Sequence, residues 1–171
     1  SRMDKLTTIE TKKQGSRKSI YKTTFSKPGS ISKVVEYLKN GSFPSVNGIR
    51  CVSVNVKNDC EIERVMTCPL PNDSIVNAAI GYTPVHVKYE IAYDEKILIS
   101  KAVHPPMLDN FFKFVEIVTV SEEDGILTFE REATVFNVGK QLPIIGNSYQ
   151  VYDDFYNRSN LSYYLEISEY C

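Results

Sequence analysis

Seven segments rich in β-branched and aromatic residues run through most of this 171-residue sequence, and this succession constrains the fold more than any other feature. Short polar turns join six of them into three consecutive hairpins, and consecutive hairpins make antiparallel neighbours. The segments are Ser19–Phe25, Ile49–Val56, Glu61–Cys68, Val85–Tyr93, Lys96–Val103, Phe111–Ser121 and Ile126–Val138. The pattern therefore predicts one antiparallel sheet of seven strands.

A short helix is predicted after the first strand. Ser30 suits an N-cap, apolar residues recur at three- and four-residue steps up to Lys39, and Gly41 suits the turn that ends a helix. A second candidate covers residues 72–80, between a capping asparagine and a glycine. We expect this second segment to form a brief helix or a lid-like loop.

The apolar period becomes helical after residue 147, and tyrosines dominate one face. This stripe contains Tyr149, Tyr152, Tyr156, Tyr163, Ile167 and Tyr170. A helix of about 24 residues is roughly 36 Å long, and the curved sheet offers the apolar surface on which to bury the stripe. The predicted class is α+β: a curved seven-stranded antiparallel sheet, a short helix near its N-terminal side, a lid-like segment, and a long C-terminal helix across the concave face. A gap between that helix and the sheet is the expected ligand site.

Charge and composition limit the classes of protein to which this chain can belong. Hydrophobic residues make up 42% and charged residues 24%, which is typical of a globular domain, and a net charge of −1 excludes a global nucleic-acid footprint. Residues 1–18 carry six basic side chains against two acidic ones and lack an apolar rhythm. We expect a flexible basic arm there, which is either plainly solvated or in contact with a membrane surface. The folded domain is expected to cover residues 19–171.

Catalytic motifs are missing from the sequence. It contains neither a nucleophile elbow nor a glycine-rich phosphate loop, its two histidines are isolated, and its four cysteines lack zinc-site spacing. Glu130 and Glu132 are expected to point outward from one strand, with Arg131 on the opposite face. We therefore expect a protein that binds a ligand without transforming it and needs no cofactor or metal. No signal-peptide pattern opens the sequence, which favours an intracellular chain with reduced thiols.

The order of motifs is familiar as a set. It comprises Tyr21–Pro28, the Phe43-Pro44 turn, Ile62-Glu63-Arg64, the 75–81 segment, Asn110 with Phe114-Val115-Glu116, Leu127–Glu130 and the Tyr149–Tyr170 helix. In this order the chain resembles the PRELI domain family over roughly residues 19–170. Members of that family exchange phospholipids between membranes, and the domain also begins some larger CRAL-TRIO lipid-exchange proteins.

The resemblance implies a lipid site. Ile75, Val76, Ala79 and Ile80 would form its lid, Tyr149, Tyr152 and Tyr156 would line its cavity, and Lys39 and Arg158 would meet the head group. Asp154 stands where family members carry a lysine, which is a departure from the family pattern. The plainer alternatives are a surface helix at the lid and an Arg158 that only balances Asp154 at the i, i+4 spacing.

Two functions follow from these expectations. The first is a lipid-binding or phospholipid-transfer domain that acts peripherally at membrane surfaces. The second is a degenerate PRELI-like scaffold, its cavity packed shut by tyrosine rings, that docks a protein partner. Family members of the mitochondrial intermembrane space depend on a small helical partner with twin cysteine motifs. The resemblance therefore implies a cytoplasmic or intermembrane-space protein and raises such a partner as a candidate.

Overall fold

The computed structural model describes residues 7–14, 18–40, 50–67, 84–103 and 112–137. The strands are β1 (Thr7–Gln14), β2 (Lys18–Pro28), β3 (Arg50–Asn58), β4 (Glu61–Thr67), β5 (Pro84–Ala92), β6 (Ile97–Val103), β7 (Phe112–Glu123) and β8 (Ile126–Asn137), and the helix is α1 (Ile31–Lys39). These strands form one sheet in the order β1-β2-β8-β7-β6-β5-β4-β3, with antiparallel neighbours throughout.

All seven strands predicted from the sequence are present, as β2 to β8, and α1 ends at the residue expected. The described residues add a strand at the edge, β1, which pairs with β2 from Thr7 to Gln14. This corrects the expectation of a flexible arm for those residues. Strand formation there follows the threonine-rich run and the exposed edge of β2 rather than any apolar alternation.

The sheet curves around α1. The helix contacts β3 at one edge and also β7, although four strand spacings separate these two strands in the sheet. In a flat sheet they would lie roughly 19 Å apart at ~4.8 Å per spacing, which exceeds the length of about 14 Å of the nine-residue helix, and the curvature of the sheet brings both within its reach. The face toward α1 is therefore concave.

Both hydrogen bonding and packing fix α1 in place. Ser30 caps the helix by accepting a hydrogen bond from the amide of Lys33 at 3.3 Å. The amide of Ile31 donates to Oε1 of Glu122 on β7 at 2.8 Å, and the amide of Gly29 donates to the carbonyl of Gly125 at 2.9 Å. The N-terminus of α1 is thus attached to the β7–β8 hairpin.

That hairpin closes in a two-residue turn. Asp124 has φ of 51° and Gly125 has φ of 76°. Two successive positive φ values define the type I′ geometry that matches the right-handed twist of the flanking strands, and Asp-Gly is among its preferred sequences. The short polar turn predicted between these two strands is therefore confirmed as a tight turn.

Two parts of the predicted architecture lie outside the described residues. These are the lid-like segment at residues 72–80 and the long tyrosine-bearing helix after residue 147. The expected gap between that helix and the sheet stays a prediction.

Candidate functional site

The concave face begins, at the end where the β7–β8 turn lies, with a solid apolar layer. Cross-strand neighbours form this layer in a single row, which we call the apolar end: Phe25, Phe129, Val120, Leu98 and Ile91. The rings of Phe25 and Phe129 stack in parallel with centroids 4.5 Å apart. Val34 and Leu38 of α1 are buried in the same cluster. This end of the concave face is a packed core.

Moving along the strands away from the β7–β8 turn, the next two rows carry buried polar groups. We call these side chains the polar band: Thr23, Arg131, Ser100, Glu116 and Arg64. The first three share one row with Val118, and the last two share the following row with Ala102 and Val87. Successive rows lie roughly 7 Å apart along a strand. Charged side chains therefore lie on the inner wall of the sheet, directly beside its apolar core.

One ion pair anchors the band on β7 and β8. Nη2 of Arg131 donates a hydrogen bond to Oε2 of Glu116. The arginine side chain is 1% exposed and the glutamate 16%. Removing two charges from water is costly, and a buried pair of this kind is often no more stabilising than apolar residues of the same volume.

The second buried cation lies three strands away from Glu116. Arg64 on β4 is 3% exposed, and its Nε donates to Sγ of Cys51 at 3.4 Å. Its guanidinium carbon lies 5.8 Å from the centroid of the Tyr37 ring, in the last turn of α1. A guanidinium can stack on an aromatic ring and still offer its edge to an oxygen ligand.

On the β4–β6 side, apolar side chains lie within the rows of the polar band and beyond it. Val85, Val87 and Ala102 form a second buried cluster, against which Met66 and Tyr89 pack. Val87 and Ala102 share the row of Arg64, and Val85 and Met66 lie one row further from the β7–β8 turn. On β4 the inner wall therefore changes from apolar to polar at Arg64 and back to apolar at Met66.

The convex face differs in character. Glu130 and Glu132 are exposed there and Arg131 is buried on the opposite side, as the sequence predicted. A shallow groove of about 310 Å³ crosses this face, and its lining includes Lys22, Ile117 and Glu132. Because its walls are exposed, this groove offers a ligand less shelter than the inner wall.

Among the residues predicted for the site, Lys39 is the one that the structure describes. It ends α1 and is exposed, two positions after the tyrosine that contacts Arg64. The other predicted residues lie outside the described residues: Ile75, Val76, Ala79, Ile80, Tyr149, Tyr152, Tyr156 and Arg158. Their roles stay predictions.

The sequence analysis did not assign a role to the charged residues of the polar band. Arg64 and Arg131 each occupy an inward position of a strand whose other described inward residues are apolar or small. Glu116 follows the same phase as the buried Val118 and Val120 on β7, where Glu122 at the turn is also inward. Glu116 and Arg64 even lie in motifs that carry the family resemblance. The alternation along each strand could have revealed them. A charged residue at a position where the alternation predicts an apolar one indicates a buried polar site.

Comparison with known proteins supports the fold. Human StAR-related lipid transfer protein 5 superposes with a TM-score of 0.50 at 11% identity, over 96% of this chain and 85% of that one. Ara h 8.0201 gives 0.49 at 15% identity over 90% and 97% of the two chains. Norcoclaurine synthase from Thalictrum flavum gives 0.48 at 7% identity over 98% and 88%. We base the shared fold on the first of these.

Sequence comparison does not assign the chain to a protein family. No model of a protein family matches the chain, and no curated protein matches it significantly. The PRELI resemblance thus finds support only at the coarser level of a fold that a lipid transfer protein also has.

Two further observations concern the part of the chain that the structure describes. No helix there has the length and apolar character needed to cross a bilayer. No group of three or more potential metal ligands occurs within those same ranges.

Proposed function

We propose that this chain binds a single phospholipid against the concave face of its sheet and carries it between membranes without altering it. The observation that carries the proposal is the polar band, because it puts two arginines and a glutamate on the inner wall of the sheet, directly beside its apolar core. Such groups cost free energy to bury and are rarely fully buried unless paired. Recognition of a polar ligand group explains their presence better than stability does.

The band suggests how the lipid would lie. A phosphate group suits Arg64, because a guanidinium can hold two phosphate oxygens at once. Acyl chains suit the second apolar cluster, formed by Val85, Val87 and Ala102 with Met66 alongside. The head group would then lie near α1, and the acyl chains would extend along the strands toward the ends farther from the β7–β8 turn.

The residues predicted from the resemblance complete this proposal. Lys39 lies in the same final turn of α1 as the tyrosine beside Arg64 but on the exposed side of the helix, so its ammonium would add positive charge at the edge of the site. The 75–80 lid, the tyrosine stripe and Arg158 would supply the wall that faces the sheet. The fold shared with a human lipid transfer protein is consistent with this assignment.

Two measurements test the proposal. Native mass spectrometry of the gently purified chain should reveal co-purifying phospholipid. Transfer between donor and acceptor liposomes should fall about tenfold or more in Arg64→Leu, since a charged hydrogen bond contributes about 1.5–3 kcal/mol. Arg50→Leu is the matched control, because Arg50 lies in the same hairpin with its side chain exposed. It should transfer lipid like the wild type.

The scaffold alternative predicts different results. A closed cavity would give a mass without lipid and no transfer from any liposome. Arg158→Glu separates the two head-group assignments, because a helix-surface role predicts unchanged transfer and a head-group role predicts loss. Equal transfer by the wild type and Arg64→Leu would remove Arg64 from the site.

A further inference from the structure

We infer that Glu116 selects the head group, favouring lipids whose polar head donates hydrogen bonds over lipids of equal charge that lack donors. This inference rests on the proposed lipid-binding function and assigns a ligand class to the same site. The favoured class has a primary ammonium or hydroxyl groups in its head.

Glu116 combines the required features. Its side chain is 16% exposed on the concave face, in the row that also holds Arg64. A carboxylate has roughly four acceptor positions on two oxygens. Arg131 occupies one position, on Oε2, and this is the one hydrogen bond to the carboxylate that the structure records among the described residues. Acceptor capacity is therefore present at the centre of the band.

The carboxylate also divides the band by charge. Beside Arg131, Glu116 offsets the positive charge that would otherwise attract an anion to that wall. Arg64 lies three strand spacings away in the same row, roughly 14 Å along the sheet. An anionic group near Arg64 escapes most of the repulsion by Glu116, because charge interactions weaken with distance. A donor group belongs near Glu116, and the anion belongs near Arg64.

A comparison of ethanolamine with choline head groups tests hydrogen-bond donation independently of net charge. Both carry one phosphate and one cationic nitrogen, so their net charge is equal. The ethanolamine ammonium donates hydrogen bonds to a carboxylate, whereas the quaternary choline nitrogen has no hydrogen to donate. Charge-assisted hydrogen bonds are roughly twice as strong as neutral ones. The wild type should therefore prefer ethanolamine lipids.

The test uses the full chain with donor liposomes that contain phosphatidylethanolamine and phosphatidylcholine with identical acyl chains. The ratio of the two lipids bound is read by native mass spectrometry. We expect the wild type to bind the ethanolamine lipid about tenfold better, and Glu116→Gln to reduce this preference to about twofold, because it removes the charge from the acceptor. Glu132→Gln makes the same change on the convex face of the neighbouring strand and should keep the wild-type ratio.

The outcomes distinguish the two claims. If neither lipid binds to any variant, the proposed function fails. If lipid binds but the wild type shows no preference, or Glu116→Gln keeps the preference, lipid binding stands and the selection by Glu116 is wrong. Circular dichroism checks folding of each variant. Should Glu116→Gln not fold, Arg131→Met with Glu116→Leu removes the pair together, and retention of the preference in that double variant would also overturn the inference.

Discussion

The apolar end and the polar band are neighbouring parts of one concave face, yet they are built in opposite ways. At the apolar end, stacked rings and aliphatic side chains pack beneath α1. In the next two rows along the same strands, the inner wall holds an ion pair and a second arginine. Both regions lie on the same antiparallel strands and most of their side chains are buried, so the main contrast lies in side-chain chemistry. The comparison separates an end of the face that is packed for stability from an end to which we assign the proposed recognition.

The two regions are expected to contribute differently to the free energy of unfolding. Burial of apolar side chains contributes about 1.5–3 kcal/mol each. A buried ion pair contributes little net stability, although loss of one partner is costly because the other charge is then stranded. Substitutions at the two ends should therefore affect stability and lipid binding to different degrees.

The largest effect is expected from Phe129→Ala at the apolar end. Phe129 is fully buried and stacked on Phe25. Truncation leaves a cavity and removes the ring contact, so the free energy of unfolding should fall by about 3–5 kcal/mol. Urea denaturation followed by circular dichroism measures this change.

Ile126→Ala is the control in the same strand. Ile126 is 42% exposed at the turn, and its truncation should cost less than about 1 kcal/mol. Similar losses for the two variants would contradict the description of the apolar end as a tightly packed core.

Arg131→Met probes the polar band and should lower the free energy of unfolding by about 3 kcal/mol. The reason is the stranded carboxylate of Glu116, which stays partly buried after its partner is removed. The double variant Arg131→Met with Glu116→Leu should regain most of this loss, because no charge is left stranded. Urea denaturation gives both values.

The same double variant separates stability from function. It should be nearly as stable as the wild type and yet bind ethanolamine and choline lipids with little preference in the liposome assay. A double variant that keeps the wild-type preference would mean that the ion pair serves packing rather than recognition.

The sequence predicted the sheet well because alternation and turn chemistry are local signals. The seven strands β2 to β8 and α1 could be read from residues within each segment. The edge strand β1 escaped prediction, because its pairing partner, β2, is supplied by the fold and its own residues carry no apolar alternation. A strand that forms because a neighbouring strand pairs with it cannot be recognised from its own residues alone.

The site was harder to predict, for a physical reason. Arg64, Glu116 and Arg131 are far apart in the chain, and only the register of β4, β7 and β8 brings them onto one wall. Register between strands is a tertiary property that a single sequence does not display. The sequence predicted Arg131 on the face opposite its flanking glutamates, which is confirmed, but no role was predicted for it there.

A smaller effect is expected where the apolar end is attached to α1. In Glu122→Ala, the amide of Ile31 loses its carboxylate acceptor and Lys96 loses an ion-pair partner at 3.5 Å. A helix N-terminus that loses such an acceptor is destabilised by about 1–2 kcal/mol. Thermal unfolding should register this loss. Glu123→Ala, at the next and exposed position, should change stability by less than about 0.5 kcal/mol, and equal effects would argue against this attachment.

The smallest effect is expected from Lys22 and Glu132 on the convex face. Their charged atoms lie 3.7 Å apart, but the side chains are 62% and 52% exposed. Glu132 directly follows Arg131 in the chain, so the two ion pairs sit on opposite faces of one strand. A double-mutant cycle with Lys22→Met and Glu132→Gln should give a coupling below about 0.5 kcal/mol, because water competes for both charges. A coupling above about 1 kcal/mol would mean that exposure does not explain the contrast between the two pairs. The energetic reason for assigning the buried pair to recognition would then be lost.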